Sequence, residues 1–529
     1  MICLIHGRVH TVDPRMSAAE AVVVKADRIV FVGPTTEARR FAGPDAETID
    51  LQGRLVLPGF IDDHVHFVLG GEQVSGLDTR TCTSKTEFID VVRRFVHDHR
   101  GDWIKGGDWD HERWAERTLP RKEWVDGFST GTPLFLPRFD WHMALVNTVA
   151  LSAAGITRDT PDPPGGKIER DPVTGDPTGI VKDAAMDLIL SCMPKPSPAQ
   201  IERRVRDALG VARKNGVTSI HDIAEEAHIP VYRKLADAGE LTCRIFARLP
   251  LRGYRALAER NITHRSGDAF LRLGSMKAFS DGSLGSNTAW FFERYLNEDT
   301  CGLPMEALSD GMLRTWAIEA DRSGLQLSIH AIGDRANSAV LDIFEEIARV
   351  NPPWDRRFRI EHAQHLRRED IARFAGLGVI ASVQPYHAID DGVWAESRIG
   401  PERVKTTYAF RSMLDAGVHV CFGSDWTVAP LHPLGGIHAA VTRRTLDGKN
   451  PDGWVPEQKL TVAEAVRCTT INNAYASFEE ESKGSITPGK LADLVVLDRD
   501  IFTIAPDAIR ETGVQLTMVG GRIVHRDGV

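Results

Sequence analysis

The two ends of the chain carry the same pattern of short apolar runs separated by turn residues. Three such runs open the chain: Ile2–Ile5, Ala21–Val24 and Ile29–Val32. Three more close it: Ala492–Leu497, Val514–Val519 and Ile523–His525. These lengths and turn signals are typical of β-strands. Neither end has enough strands to form a stable sandwich alone, so we expect the two ends to pair in one composite β domain.

Between the two ends, apolar runs alternate with amphipathic helical patterns. The clearest helical patterns are Pro198–Lys214, Met312–Ser323, Asn337–Val350 and Val462–Thr470. This alternation predicts a parallel α/β barrel or a doubly wound sheet. Segment 159–179 is dense in Pro, Gly and Asp and is too long for a plain connection. We expect it to form a surface loop or hairpin and to act as a lid.

Composition and charge narrow the class of protein. The chain has 529 residues, of which 42% are hydrophobic and 26% charged, as in an ordinary globular protein. Its 64 basic and 73 acidic residues leave a net charge of −9, so nucleic acid is not an expected partner. No apolar stretch suggests a membrane span or a leader, and the cytoplasm is the expected location. The seven scattered cysteines argue against a disulfide framework and against a thiolate zinc cluster.

A pair of histidines is the first candidate for chemistry. His64 and His66 follow the run Leu57-Pro58-Gly59-Phe60-Ile61-Asp62. On a strand, residues two apart point to the same side, so the two imidazoles can chelate one metal ion. The alternative is a pair of ordinary strand histidines.

Three more polar residues end apolar runs that are predicted as strands: His330, His362 and Asp425. Barrel enzymes place their catalytic groups at the carboxyl ends of parallel strands. Lys277 lies within another apolar run and would face solvent in the simplest interpretation. If it points into a barrel, burial lowers its pKa and frees the amine to react with carbon dioxide, and the resulting carbamate can bridge two metal ions. Nitrogen and oxygen ligands without thiolate suit zinc.

The order HxH, Lys, His, His, Asp resembles the amidohydrolase superfamily, and more narrowly the amidohydrolase-3 (YtcJ-like) family. The resemblance rests on the HxH motif and on five further segments: 277–286, 330–334, 361–364, 423–425 and 484–497. It implies an α/β fold, a (β/α)8 TIM-like barrel over 57–479 beside a composite β-sandwich formed by 1–56 and 480–529. Strand numbering stays open, because candidates at Pro133–Arg138, Val217–His221 and Arg244–Leu249 exceed what the early barrel needs.

The resemblance also implies a metal site and an activity. The implied ligands of one or two divalent ions, expected to be Zn²⁺, are His64, His66, carboxylated Lys277, His330, His362 and Asp425. The implied reaction is hydrolysis of a non-peptide carbon–nitrogen bond, in an amide, formamide or related compound, by a metal-activated water. Asp425 would act as general base and then as general acid.

Several residues near these motifs are candidates for substrate binding: His142, His387, Trp109, Trp141, Trp290 and Trp394. Structural roles are the alternative for all of them, since tryptophans often serve as core residues. The expected partner is a small-molecule substrate, with neither nucleic acid nor membrane, and a homodimer is left open.

Two other functions compete with this one. A mononuclear deaminase of the same superfamily would carry a glutamate shortly after its third histidine, but Ala-Ile-Gly-Asp follows His330. A non-catalytic binding protein on the same fold is the other alternative. The complete ligand set disfavours it.

Overall fold

The structure of the protein is a computed structural model that describes residues 1–528 except 102, 112–113, 140, 142, 164–165 and 286. The chain forms two compact units. The first unit comprises Met1–Val68 and Ala208–Val529, and the second comprises Leu69–Asp207. The range 57–479 predicted for the barrel is therefore interrupted by a separate unit.

The N-terminal segment of the first unit is β-rich. Its elements are β1 (Ile2–Ile5), β2 (Arg8–His10), β3 (Ala18–Ala19), β4 (Ala21–Lys25), β5 (Arg28–Gly33), α1 (Thr35–Ala42), β6 (Glu47–Asp50) and β7 (Leu55–Pro58). A four-stranded sheet has the order β5-β4-β1-β6. Because successive side chains of a strand point to opposite faces of the sheet, β4 contributes side chains to two hydrophobic clusters. Val22 and Val24 pack into the core of the β domain, while Ala21 and Val23 pack with residues of α1.

The second unit follows β8 (Phe60–Val65). Its elements, with the helices that cross its boundaries, are α2 (Phe67–Ser75), α3 (Lys85–Asp98), β9 (Ile104–Lys105), α4 (Glu123–Asp126), β10 (Leu134–Pro137), β11 (Met143–Val146), α5 (Thr148–Ala153), β12 (Gly166–Arg170), β13 (Pro177–Asp183), α6 (Ala184–Leu190) and α7 (Pro198–Lys214). The sheet order is β12-β13-β11-β10-β9. Segment 159–179 contains the turn of the antiparallel β12–β13 hairpin. Its role as a lid stays a prediction.

The remainder of the first unit alternates strands and helices. These elements are β14 (Val217–Ile223), α8 (His228–Asp237), β15 (Arg244–Pro250), α9 (Tyr254–Glu259), β16 (Leu271–Phe279), α10 (Glu306–Ser309), α11 (Met312–Arg322), β17 (Gln326–Ala331), α12 (Asp334–Val350), β18 (Arg359–His362), α13 (Arg368–Leu377), β19 (Ile380–Val383), α14 (Pro385–Asp391), α15 (Ala395–Arg403), α16 (Phe410–Asp415), β20 (Val420–Phe422), α17 (Pro433–Thr442), α18 (Val462–Cys468) and α19 (Ile471–Ala476).

These seven strands and β8 form an eight-stranded parallel barrel. Each strand pairs with the next in the chain order β8, β14, β15, β16, β17, β18, β19, β20. The last strand returns to the first, because Val65 and Trp426 form a parallel bridge and the backbone N–H of His66 donates to the carbonyl of Trp426 at 2.7 Å. This confirms the predicted (β/α)8 barrel and excludes the alternative of a doubly wound sheet. The candidates at Val217 and Arg244 are the second and third barrel strands, and the candidate at Pro133 belongs to the second unit.

The C-terminal strands complete the β domain. They are β21 (Leu494–Leu497), β22 (Val514–Val519) and β23 (Arg522–Arg526). Together with N-terminal strands they form one six-stranded sheet in the order β23-β22-β21-β7-β2-β3. Val56 and Val496 lie opposite each other in this sheet, and both are fully buried. None of the described helices combines the length and apolar character that crossing a membrane requires.

Candidate metal centre

The predicted ligand residues lie at or just beyond the carboxyl ends of barrel strands. His64 is in β8 and His66 follows that strand, while Lys277, His330 and His362 lie in the last residues of β16, β17 and β18. Asp425 follows β20 by three residues. Because all eight strands run parallel, these ends meet at one rim of the barrel.

The structure brings the HxH pair and Asp425 together. Nε2 of His64 and Nε2 of His66 each lie 3.4 Å from Oδ1 of Asp425. The ring centroids of His64 and His362 are 5.0 Å apart. The ligand atoms of His64, His66 and Asp425 all lie within 4.8 Å of one another, which is a spacing that suits one metal ion.

The backbone at this rim is held in unusual conformations. His362 and Asp425 have φ angles of 71° and 56°, in the left-handed region that non-glycine residues seldom adopt. Gly423 precedes Asp425 where the chain passes close to His64, and a Cβ atom at position 423 would lie 2.5 Å from the backbone nitrogen of His64. Strain of this kind persists where the surrounding structure enforces it, and it is concentrated at functional sites.

Burial controls the protonation of the cluster. Burial, reinforced by nearby Lys277, lowers the pKa of His64 to about 3, and burial with nearby His330 holds the pKa of His362 well below its usual value. Burial opposes ionisation of Asp425, but the surrounding imidazoles, led by His64, outweigh it and keep its pKa well below the usual range. His64 and His362 are therefore neutral and Asp425 is ionised at pH 7, and these are the forms that bind metal ions.

Lys277 points into the barrel and not into solvent. The residue is 4% exposed, and its Nζ has no hydrogen-bond partner among the described residues. Nζ lies 4.7 Å from the centroid of the Phe279 ring. Burial lowers the pKa of this amine to about 7, so a large fraction is neutral near neutral pH. The inward orientation required for carbamate formation is present, and the carbamate itself stays a prediction.

Sequence reasoning missed the role of Glu361, although it lies in the motif around His362. Its buried carboxylate receives five donors: Nδ1 of His64, Oγ of Ser328 at 2.6 Å, Oγ of Ser382 at 2.7 Å, Nη1 of Arg248 at 2.8 Å and Nε of Arg359 at 2.9 Å. Burial opposes its ionisation, but the two buried arginines outweigh burial and hold its pKa well below the usual range. By accepting from Nδ1, Glu361 leaves Nε2 of His64 to face Asp425.

Two buried aspartates, Asp62 and Asp63, directly precede the HxH pair and connect its strand to other strands of the barrel. Oδ1 of Asp62 accepts the backbone N–H groups of His64 at 3.1 Å and Ser424 at 2.9 Å, and so joins the first barrel strand to the segment after the last. Asp63 lies 2.6 Å from Nδ1 of His221 and 2.7 Å from Nη2 of Arg359. His221 is thus part of a buried hydrogen-bond network with Asp63 and Arg359. Periodicity along the chain gives no signal for such contacts, because they form between distant strands.

His330 packs against the cluster differently. Its ring centroid is 4.5 Å from that of His362, but its Nε2 lies 3.1 Å from the carbonyl oxygen of Gly282 and 3.4 Å from Oδ1 of Asp281. Among the described His, Cys, Asp and Glu side chains, His330 belongs to neither of the two groups with metal-binding spacing. Its role as a ligand stays a prediction.

The candidate substrate residues fall in different places. His387 lies beside the cluster, with its ring parallel to that of His362 at 6.3 Å. Trp290 is half-buried, and the guanidinium of Arg335 lies 4.4 Å from its ring centroid. Trp109 is fully buried in the core of the second unit, where its Nε1 donates to the carbonyl of Leu136. His142 lies outside the described residues. The part played by each of the six candidates in binding substrate stays a prediction.

Comparison with known proteins gives a consistent result. A family model described as "Amidohydrolase family" matches residues 47–525. Protein LONG AFTER FAR-RED 3 of Arabidopsis thaliana is 36% identical, over 98% of this chain and 91% of the relative. The N-substituted formamide deformylase of Arthrobacter pascens is 32% identical, over 98% of this chain and 97% of the relative. Among solved structures, an uncharacterized metal-dependent hydrolase from Pyrococcus horikoshii OT3 has a TM-score of 0.82 at 25% identity, covering 96% of this chain and 99% of that one.

Proposed function

We propose that this chain, which belongs to the amidohydrolase family, uses one or two divalent metal ions to hydrolyse a non-peptide carbon–nitrogen bond in a small molecule. The family makes it a hydrolase of carbon–nitrogen bonds. The observation that carries the finer proposal is the triad of His64, His66 and Asp425 at the rim of the barrel, in which His64 and Asp425 are buried and His66 is partly exposed.

The residues at this rim fit a divalent ion. They present imidazole nitrogens and a carboxylate, without thiolate, and this donor set suits zinc and other first-row ions. Among the residues that the structure describes, Nζ of Lys277 and Nδ1 of His362 are buried polar atoms without hydrogen-bond partners. Buried polar atoms are nearly always satisfied, so a group absent from the structure accounts for them. A bound divalent ion supplies acidified water and polarises a carbonyl.

Asp425 is the residue we assign to proton transfer. Its carboxylate is ionised, lies among the imidazoles, and is held in a strained conformation at the end of β20. In an amide hydrolysis it takes the proton of the attacking water and delivers it to the leaving nitrogen.

The position of Phe279 favours a substrate that carries an apolar substituent. It lies two residues after Lys277, its ring centroid is 5.3 Å from that of His330, and yet it is 43% exposed. An exposed aromatic ring beside a polar cluster provides an apolar wall for a ligand. We therefore place an N-substituted amide or formamide first among substrates, the class named by the formamide deformylase relative.

A substrate panel tests the proposal. Zinc-loaded protein is assayed against N-substituted formamides, N-alkyl amides, ureas, carbamates and aminopurines, with the released amine, acid and ammonia quantified separately. We expect an amine and a carboxylic acid in equal amounts from at least one amide, and the same products from Asp425→Asn at a rate lower by on the order of 10²–10⁴. Release of ammonia from an aromatic amine alone would support the deaminase alternative. Absence of any turnover of the amide classes would contradict the proposal.

A further inference from the structure

We propose that Asp281 is a positioning residue of the metal centre, whose carboxylate holds the predicted ligand His330 in place. Asp281 lies two residues after β16 and is fully buried. It belongs to the motif that begins at Lys277, but the sequence alone gives it no role. The inference rests on the proposed function, since it concerns how a predicted ligand of that site is held.

The carboxylate of Asp281 extends the contact between two barrel strands beyond the end of their backbone pairing. β16 and β17 pair in parallel as far as Phe279 and His330. Beyond this pair, Oδ1 of Asp281 accepts the backbone N–H of Ile332 at 3.0 Å, and Oδ2 accepts that of Gly333 at 2.8 Å. These two residues connect β17 to α12. One buried side chain therefore fixes the turn that follows His330.

The same carboxylate holds the loop that follows β16. Oδ2 of Asp281 also accepts the backbone N–H of Trp290 at 2.8 Å. The carbonyl oxygen of Trp290 in turn accepts the N–H groups of Arg335 at 3.1 Å and Ala336 at 3.2 Å, in the first turn of α12. A Cβ atom at position 333 would lie 2.1 Å from this carbonyl oxygen, so the loop lies directly against the start of the helix. Three N–H donors from two separate segments thus converge on one carboxylate, which keeps all three satisfied in the interior.

His330 is held by the short segment around Asp281, residues 280–282. The backbone N–H of Ser280 donates to the carbonyl oxygen of His330 at 3.0 Å. Nε2 of the His330 ring lies 3.1 Å from the carbonyl oxygen of Gly282 and 3.4 Å from Oδ1 of Asp281. Because a carbonyl oxygen only accepts, Nε2 carries the hydrogen and Nδ1 is the nitrogen that can offer a lone pair. Contacts of this kind set the tautomer and the orientation of a histidine that binds metal.

Zinc affinity tests this inference without reference to turnover. Asp281→Asn keeps the size of the side chain and removes its charge and one acceptor oxygen. The matched control is Asp321→Asn, because Asp321 is 1% exposed and accepts from Asn351, Trp354 and Arg356, in the segment that precedes β18. Each metal-free protein is titrated with Zn²⁺ against a chromophoric chelator, and its stability is measured by urea denaturation.

Both variants should lose stability, because each leaves a buried donor without its acceptor. We expect only Asp281→Asn to bind zinc more weakly, by about 10–100-fold at one equivalent, which is the loss typical of removing a residue that supports a metal ligand. Unchanged zinc affinity in Asp281→Asn would overturn the inference. An equal loss of affinity in Asp321→Asn would overturn it too, because zinc affinity would then follow stability alone.

Asp281→Ser is the second variant, because its smaller side chain leaves room for water to reach the three N–H donors. We expect it to show the same loss of zinc affinity. If neither Asp281 variant folds even at saturating Zn²⁺ while Asp321→Asn does, Asp281 acts in folding alone and the inference is overturned. Failure of the proposed function is distinguishable, because it would appear as the expected pattern of zinc affinities with no hydrolysis of the amide panel.

Discussion

Replacing Glu361 by Gln is the perturbation that probes the support of the metal centre most sharply. The variant keeps the size of the side chain and removes its charge. Glu361 is fully buried between Arg248 and Arg359, whose nitrogens lie 2.8 Å and 2.9 Å from Oε1. Arg359 retains a second carboxylate in Asp63 at 2.7 Å, while Glu361 is the carboxylate that the structure shows beside Arg248.

The magnitude follows from this arrangement. Removing one partner of a buried ion pair costs about 3–5 kcal/mol, because the remaining charge stays buried and uncompensated. We expect Glu361→Gln to lower the free energy of unfolding by about that amount. Because the arginines lie beside Oε1, we expect the glutamine oxygen to face them and the NH2 group to replace Oε2 beside Nδ1 of His64. The NH2 group cannot accept from Nδ1, so metal binding should also weaken by about 10–100-fold.

The effect should depend on pH in a defined direction. The folded pKa of Glu361 lies well below its unfolded value of roughly 4.3. Its contribution is therefore complete above about pH 5 and is lost as the pH falls through the folded pKa. The stability difference between wild type and variant should be constant from about pH 5 to 8 and shrink in more acidic solution.

Urea denaturation of the metal-free proteins, followed by near-UV circular dichroism, measures this difference. Glu402→Gln is the control, because its pair with Lys405 is solvent-exposed and such pairs contribute about 0–1 kcal/mol. A Glu361→Gln protein as stable as this control, with unchanged zinc affinity, would refute the reasoning.

The remaining predictions concern the site itself. Asp425→Asn should keep the fold and lose on the order of 10²–10⁴ in kcat, as measured by amine release; near-native kcat would remove Asp425 from proton transfer. Lys277→Ala should lower bound metal toward one equivalent, with partial rescue by a small carboxylic acid, and full metal occupancy without rescue would exclude a bridging carbamate. Shortening segment 159–179 should change KM and substrate range with little change in melting temperature; a change in stability alone would make the segment structural.

Much of the fold could be predicted from local patterns. The runs at Ile2–Ile5 and Val514–Val519 are strands with the predicted bounds, and Pro198–Lys214 is a helix with the predicted bounds. Periodicity reports which face of an element is buried, so it finds elements well. It does not report which elements pack together. For that reason the sequence did not separate Leu69–Asp207 from the barrel, nor exclude the strand near Pro133 from it.

For the site too, the sequence predicted individual residues but not the contacts between distant strands. Its family is confirmed, and the order of the motifs placed His64, His66, His362 and Asp425 at one rim, where the structure brings them together. The supporting network was not predictable, because Glu361 meets Arg248 only when β15 and β18 close around the barrel.

Metal titration of the metal-free protein tests the central claim most directly. Protein stripped by a chelator and shown to contain no metal is supplied with Zn²⁺, Co²⁺ or Mn²⁺ in steps, and amide hydrolysis is measured after each addition. We expect no activity before addition, and a rise that saturates at one or two equivalents per chain, because hydrolysis requires water acidified at this site. Unchanged turnover in the demonstrably metal-free protein would contradict the account.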